Sequence, residues 1–290
     1  MSHKLIVATT AGLAVTIWMS SACLLAADYT SSERSVQISG EARSIPYLLL
    51  VPPEHPHGGA HPLIVYLYGR GGSIKDYNLS KPPYAKLRKL SAERGYYILV
   101  PELGKSHWMN DRAQRTLDAI IDHAMANNPI DPKRVHLMGT SMGGGASLAY
   151  AIHRPDLVRT VCAICPMTDF PKWVGEIPQY LSQVSAAYGG VPATAPAAWA
   201  KTSAMRHLDA FKNIPVFLVH GAADTTVKPD HSRLFAEALR ARNYRVVFHE
   251  VKELGHDDLI AQPFQEEIVD FFDKAVPPPK LKSSGPRRGP

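Results

Sequence analysis

Cysteine is scarce: there are three in 290 residues. Cys23 lies in the apolar N-terminal run, so the rest of the chain has only Cys162 and Cys165, too few for a disulfide framework. Their C-x-x-C spacing would also suit a metal or redox site. The pair sits in Val158-Arg159-Thr160-Val161-Cys162-Ala163-Ile164-Cys165, however, which reads as a buried strand. Residues three apart in a strand face opposite sides, so packed thiols are the expectation. No H-E-x-x-H accompanies His55, His57 and His61, which argues against a metal in the polar loop that holds them. No metal and no cofactor is expected. The glycine-rich turn Gly69-Arg70-Gly71-Gly72 has the spacing of neither a P-loop nor G-x-G-x-x-G, which argues against a nucleotide cradle. Internal repeats are absent.

An excess of one charge sign is also missing from the body of the chain. The formal net charge is +6 and the pI near 9.1. Lys4 and the tail residues Lys280, Lys282, Arg287 and Arg288 account for five of those charges, which leaves about +1 for residues 28–275. The folded body therefore lacks the basic surface that a nucleic-acid partner requires, and none is expected.

One long apolar run is present, at the N-terminus. Lys4 precedes a nearly uncharged stretch from Leu5 to Leu25, and Ala26-Ala27-Asp28 closes it with small residues. Residues 1–27 read as a signal peptide cleaved near Ala26 or Ala27, with a secreted or periplasmic product. An uncleaved anchor and lipid attachment at Cys23 are the alternatives, and only these would bring a membrane partner. Residues 276–290, rich in Pro, Lys, Arg, Ser and Gly, read as a disordered basic tail. One domain is expected between them, at 28–275, where apolar strands alternate with amphipathic helices.

Within that domain Val135-His136-Leu137-Met138-Gly139-Thr140-Ser141-Met142-Gly143-Gly144-Gly145 joins an apolar strand to a helix through G-x-S-x-G. Glycine on either side lets the chain bend back sharply and project the serine hydroxyl outward, so Ser141 is the candidate nucleophile. A serine hydroxyl needs a base, and the base an orienting acid. Pro215 to Gly221 reads as a buried strand followed by a turn carrying Asp224. Tyr244 to Val251 is the next strand, and His256 lies in the loop after it. The order Ser141, Asp224, His256 is the one this elbow demands. Asp169, just past the strand ending near Cys165, is the rival acid. Asp224 could instead cap a turn. Asp257 and Asp258 suit the first turn of the last helix, and His220 at its strand end reads as a packed structural histidine.

An acyl-transfer intermediate needs preorganised donors for its oxyanion. One is expected from the N–H of Met142. The second is expected from the turn after the strand Pro62 to Tyr68, through the Arg70 N–H or the Tyr68 hydroxyl.

From the elbow, from His220-Gly221-x-x-Asp224-x-x-Val227-x-Pro229 and from the run Tyr188 to Pro215 that leads into it, the chain resembles the α/β-hydrolase superfamily. Within it, residues 45–275 are similar to single-domain esterases of the dienelactone hydrolase and feruloyl esterase kind and to prolyl-oligopeptidase-type hydrolases. The resemblance implies an α/β fold with a mostly parallel sheet of about eight strands and helices on both faces. It also implies a Ser-Asp-His mechanism without a cofactor. At 290 residues there is no room for the large propeller domain of oligopeptidases, which makes a peptidase the second choice. A catalytically idle binding protein of the same fold is a third. An insert at about 167–210 is expected over the active site. Trp173, Tyr188 and Trp199 in that insert, with Trp108 on the other wall, are the candidate substrate contacts. The expected partner is a small-molecule or polysaccharide-linked ester, such as an acetyl or feruloyl ester of a cell-wall polymer.

Overall fold

The computed structural model describes residues 29–53, 59–75 and 82–275. The apolar leader, Cys23, the basic tail, His55 and His57 lie outside them. Among the described residues no helix is long and apolar enough to cross a membrane.

Eight strands form one sheet in the order β1-β2-β4-β3-β5-β6-β7-β8. They are β1 (Thr30–Val36), β2 (Ile45–Val51), β3 (His61–Leu67), β4 (Tyr97–Pro101), β5 (Ile130–Thr140), β6 (Val158–Ile164), β7 (Val216–Gly221) and β8 (Val246–Val251). The edge pair β1/β2 and the pair β2/β4 are antiparallel, and every other pairing is parallel. The burial patterns follow. Strands β3, β4, β6 and β7 and the second half of β5 are almost continuously buried, as a sheet covered on both faces requires, whereas β1 alternates as a half-exposed edge. Residues 37–44 make the turn between β1 and β2.

The helices are α1 (Pro82–Glu93), α2 (Asp111–Ala126), α3 (Met142–His153), α4 (Phe170–Glu176), α5 (Leu181–Tyr188), α6 (Pro196–Thr202), α7 (Asp230–Ala241) and α8 (Gln265–Lys274). The spacing of Ala113, Leu117, Ile120, Ile121 and Ala124 makes one face of α2, and all five are buried. Asn110 caps that helix, its side chain accepting from the Ala113 N–H at 2.9 Å. Two apolar cores result. One joins α1 and α8 to one sheet face, and the other joins α2, α3 and α7 to the opposite face.

Two local expectations are corrected. Cys162 and Cys165 are buried and form no disulfide, but they share one core cluster instead of facing opposite sides. The reason is that β6 ends at Ile164 and Cys165 turns away with φ 46°. The last helix begins at Gln265, not near Asp257. A 3₁₀ segment, Asp258–Phe264, intervenes, and Asp257 caps it by accepting from the Leu259 N–H at 2.8 Å.

Candidate active site

Because β3 and β5 to β8 run parallel, their C-terminal ends open on one edge of the sheet, and the loops leaving that edge meet there. Strand β5 delivers Ser141, whose φ 57° and ψ −120° are costly for a non-glycine residue. The strain is held from two sides. The Ser141 N–H donates to the Ile164 carbonyl at 2.8 Å, and α3 starts in such close contact with β3 that a Cβ on Gly143 would overlap the Leu67 carbonyl. That approach is why the second glycine of the elbow is needed.

Strand β7 delivers Asp224 in the turn after Gly221, and the loop after β8 delivers His256. The two loops are stitched together. The Ala222 N–H donates to Val251 O at 2.9 Å and the Ala223 N–H to Leu254 O at 3.0 Å. A Cβ on Gly221 would overlap the carbonyls of Leu254 and Gly255, so only glycine lets the His256 loop lie this close.

The three side chains are brought into one hydrogen-bonded line. His256 Nε2 lies 2.8 Å from Ser141 Oγ and His256 Nδ1 lies 2.7 Å from Asp224 Oδ2. An ionised carboxylate can only accept, so the imidazole proton sits on Nδ1 and Nε2 is free to accept from the serine. Burial by itself would raise the Asp224 carboxyl. Hydrogen bonds from His220, then His256 and the Val227 N–H, outweigh it and hold Asp224 well below the usual carboxylate range. Asp224 also holds its own turn, since Oδ1 accepts from the N–H groups of Thr226 and Val227 at 2.9 Å each. Asp169 does not approach His256. Its carboxylate caps α4 through the Lys172 N–H at 3.1 Å.

The line opens into a cavity of about 320 Å³ bordered by Gly69, Arg70, Thr140, Tyr180, Thr226 and Asp257 as well as Ser141 and His256. In the turn after β3 the Gly71 and Gly72 N–H groups are occupied by Lys105 O and Gly69 O. The N–H of Arg70, which borders the cavity, and that of Met142, the first residue of α3 beside Ser141, have no acceptor among the described residues.

The Tyr68 alternative is corrected. Its hydroxyl donates to Glu102 Oε1 at 3.0 Å and accepts from the Leu103 N–H at 2.9 Å, and Tyr68 does not border the cavity. Side chains alternate along an extended strand, so the residue before Gly69 is turned into the sheet face.

The aromatic contacts are corrected too. Trp108, Trp173, Tyr188 and Trp199 are all buried and none borders the cavity. They pack the insert onto the domain instead. The Trp173 indole N–H donates to Thr226 O, that of Trp199 to Gly190 O, and the Tyr188 hydroxyl to Trp108 O, each at 2.8 Å. The aromatic that does reach the cavity is Tyr180, stacked on Trp173 at 4.9 Å with the Arg70 guanidinium over its ring at 5.1 Å. Tyr180 lay in the predicted insert, but nothing in its spacing singled it out.

A parallel sheet covered on both faces, with an elbow serine, a strand-end acid and a loop histidine at its C-terminal edge, is the α/β-hydrolase fold. The chain belongs to the prolyl oligopeptidase family, whose model matches residues 89–277. Cutinase est1 of Thermobifida alba is 30% identical over 96 residues, a match spanning 31% of this chain and about a third, 32%, of the cutinase. Among solved structures, a ferulic acid esterase superposes with a TM-score of 0.67 at 14% identity, covering 86% of this chain and 100% of the esterase. A puromycin-hydrolyzing peptidase of Mycobacterium tuberculosis superposes with a TM-score of 0.67 at 21% identity, covering 85% of this chain and 39% of that one. At these identities the superpositions speak for the fold alone.

Proposed function

We propose that the protein is an exported serine hydrolase that cleaves carboxylic esters through an acyl-enzyme, with Ser141 as nucleophile, His256 as base and Asp224 as orienting acid. The observation that carries this is the unbroken line from Ser141 Oγ through His256 to Asp224, open at its serine end to a cavity. His256 Nε2 takes the hydroxyl proton as Oγ attacks the ester carbonyl, and Asp224 stabilises the imidazolium that forms. The carbonyl oxygen, now an anion, is met by the N–H groups of Met142 and Arg70. Collapse breaks the bond to the alcohol, which leaves with the proton from His256. Water, deprotonated by the same histidine, then releases the acid.

The size and lining of the cavity favour an ester over a peptide and a small acyl group over an aromatic one. About 320 Å³ holds an acetyl ester comfortably. A feruloyl ring would find Tyr180 alone to stack on, since the tryptophans are buried. A substrate amino terminus would meet the Arg70 cation, and the one carboxylate among the lining residues, Asp257, is already a helix cap. Acetyl groups on an extracellular polymer are the substrate class that fits both the cavity and the apolar leader.

Ser141→Ala is expected to abolish hydrolysis of p-nitrophenyl acetate and labelling by a fluorophosphonate probe while leaving thermal unfolding nearly unchanged. Residual activity at the wild-type level would overturn the assignment. A side-by-side assay on a dipeptide amide checks the ester preference.

A further inference from the structure

Asp224 is held by more than the base it orients. Its Oδ1 is pinned by two turn N–H groups, which by itself leaves the carboxylate a hinge. Oδ2, the oxygen that faces His256, also lies 3.3 Å from Nε2 of His220, four residues upstream at the end of β7 and wholly buried. The same Nε2 lies 2.8 Å from the Val227 carbonyl. A carbonyl only accepts, so the His220 proton is on Nε2 and bonds to Val227 O, with Asp224 Oδ2 beside it at 3.3 Å. On the far side of the ring, Nδ1 lies 2.7 Å from the hydroxyl of Ser232 on α7. Ser232 donates to it and locks the neutral tautomer. A histidine that merely packs needs its two nitrogens satisfied. This one sends its single proton toward the same carboxylate oxygen that the proposed catalytic base uses.

We propose that His220 is a positioning residue of the triad, its Nε2–H dividing Asp224 Oδ2 with His256 and setting the direction and basicity of the carboxylate. The proposal rests on the hydrolase reading of Ser141, Asp224 and His256. Without the His220 donor the carboxylate turns more freely about its last bond, and the near-attack alignment of the imidazole is populated less. The negative charge on Oδ2 is also no longer shared with a second donor, so it holds the imidazolium proton of His256 more tightly. Loss of rate and a more basic His256 therefore go together. The other charged or titratable groups around this corner are Glu250 on β8, in register with His220 and paired with Arg233 of α7, His231 on α7, and Cys165 after β6. The Cys165 sulfur lies within 4.8 Å of donor atoms of Asp224 and His256.

The test compares His220→Phe, which fills the space without a donor, with His220→Gln, whose amide can reach the position of Nε2, and with Ser232→Ala, which removes only the tautomer lock. Each is assayed on p-nitrophenyl acetate from pH 5 to 9, with active sites counted by fluorophosphonate titration and unfolding followed by heat. His220→Phe is expected to lower kcat per titrated site about 10- to 100-fold, the effect of one lost hydrogen bond to a buried charge, with KM unchanged. The acid limb of its kcat/KM profile should move upward by about half a pH unit. His220→Gln should recover most of the rate, and Ser232→Ala should lose about two- to fivefold with the limb moving the same way. A purely structural histidine would lower the unfolding temperature and the count of active sites, with the acid limb in place. An unmoved limb in all three variants, or a Gln variant no better than Phe at equal stability, would overturn the proposal alone. A wild type that neither hydrolyses the ester nor takes the probe would overturn the hydrolase reading, and this proposal with it.

Discussion

Strands β6 and β7 lie side by side with Ile164 next to Val219, and each runs out into a turn that carries an aspartate five residues on, Asp169 after the one and Asp224 after the other. Each turn also leans on a buried histidine. Thr168, beside Asp169, donates its hydroxyl to the His231 carbonyl at 2.9 Å and points its N–H at His231 Nδ1, 3.4 Å away. Asp224 has His220. Yet Asp169 caps a helix, while Asp224 faces a histidine that faces a serine. The two carboxylates are chemically identical, so the difference lies in what stands beside each strand. Strand β7 has β8 as its outer neighbour, and the loop after β8 folds back across the β7 end at Gly221. Strand β6 is one place further in, and the aspartate after it is turned to the start of α4 instead. Which aspartate meets the histidine is decided by the strand next to its own.

That contrast can be broken from either side. The largest effect is expected from Asp224→Asn, which keeps the shape but loses the charge and the tautomer control, and should lower kcat on p-nitrophenyl acetate by about 10⁴-fold. Asp169→Asn should stay within about twofold of wild type in the same assay, being only a cap whose side-chain oxygen survives as an amide. A comparable loss in both variants would erase the distinction between the turns. Next in size is Gly221→Ala. Its methyl would push the Leu254 and Gly255 carbonyls away, with a loss of about 1–3 kcal/mol in chemical denaturation and a fall in kcat as His256 moves with its loop. Asp169→Ala should cost about 1 kcal/mol of stability through the lost cap and leave kcat unchanged.

The smallest effect sharpens the comparison of the two histidines. Burial is the main force that pushes His231 down to about 4, with Lys172 adding to it and Glu176 and Asp169 opposing it. A histidine lowered in the folded state binds its proton less readily there than in the unfolded chain. Its contribution to stability is therefore complete above pH of about 6.5 and is lost progressively as pH falls toward 4. The midpoint of denaturant unfolding should decline between pH 6.5 and 4, and His231→Gln should flatten that decline by about one proton.

Much of this was legible in the chain because the signals were local and of strand-and-helix period. The run from Val135 to Gly145 spells strand, tight turn and helix, and the strand-end positions of Asp224 and His256 follow from counting alternating elements. The aromatic residues of the insert were different. Trp173, Tyr180, Tyr188 and Trp199 are all large aromatics set among prolines, and a large ring gains as much by packing inward as by lining a cavity. Only the stacking of Tyr180 on Trp173 shows which one ends at the opening. Tyr68 was misjudged for a related reason: a hydroxyl next to a glycine turn looks available until Glu102 and Leu103 are seen to occupy it.

The sequence by itself determined the order of elements, the sharp turn at Ser141 and the residues able to serve as nucleophile, acid and base, because periodicity, glycine placement and chain order are properties of neighbouring residues. Only the tertiary structure decided which of two aspartates meets His256, that the Trp108 side chain is core, and that His220 Nε2 lies 3.3 Å from the carboxylate oxygen that His256 faces. Those outcomes depend on the ordering of parallel strands and on contacts between residues four to more than a hundred positions apart, where hydrogen-bond geometry of a few tenths of an ångström selects the partner.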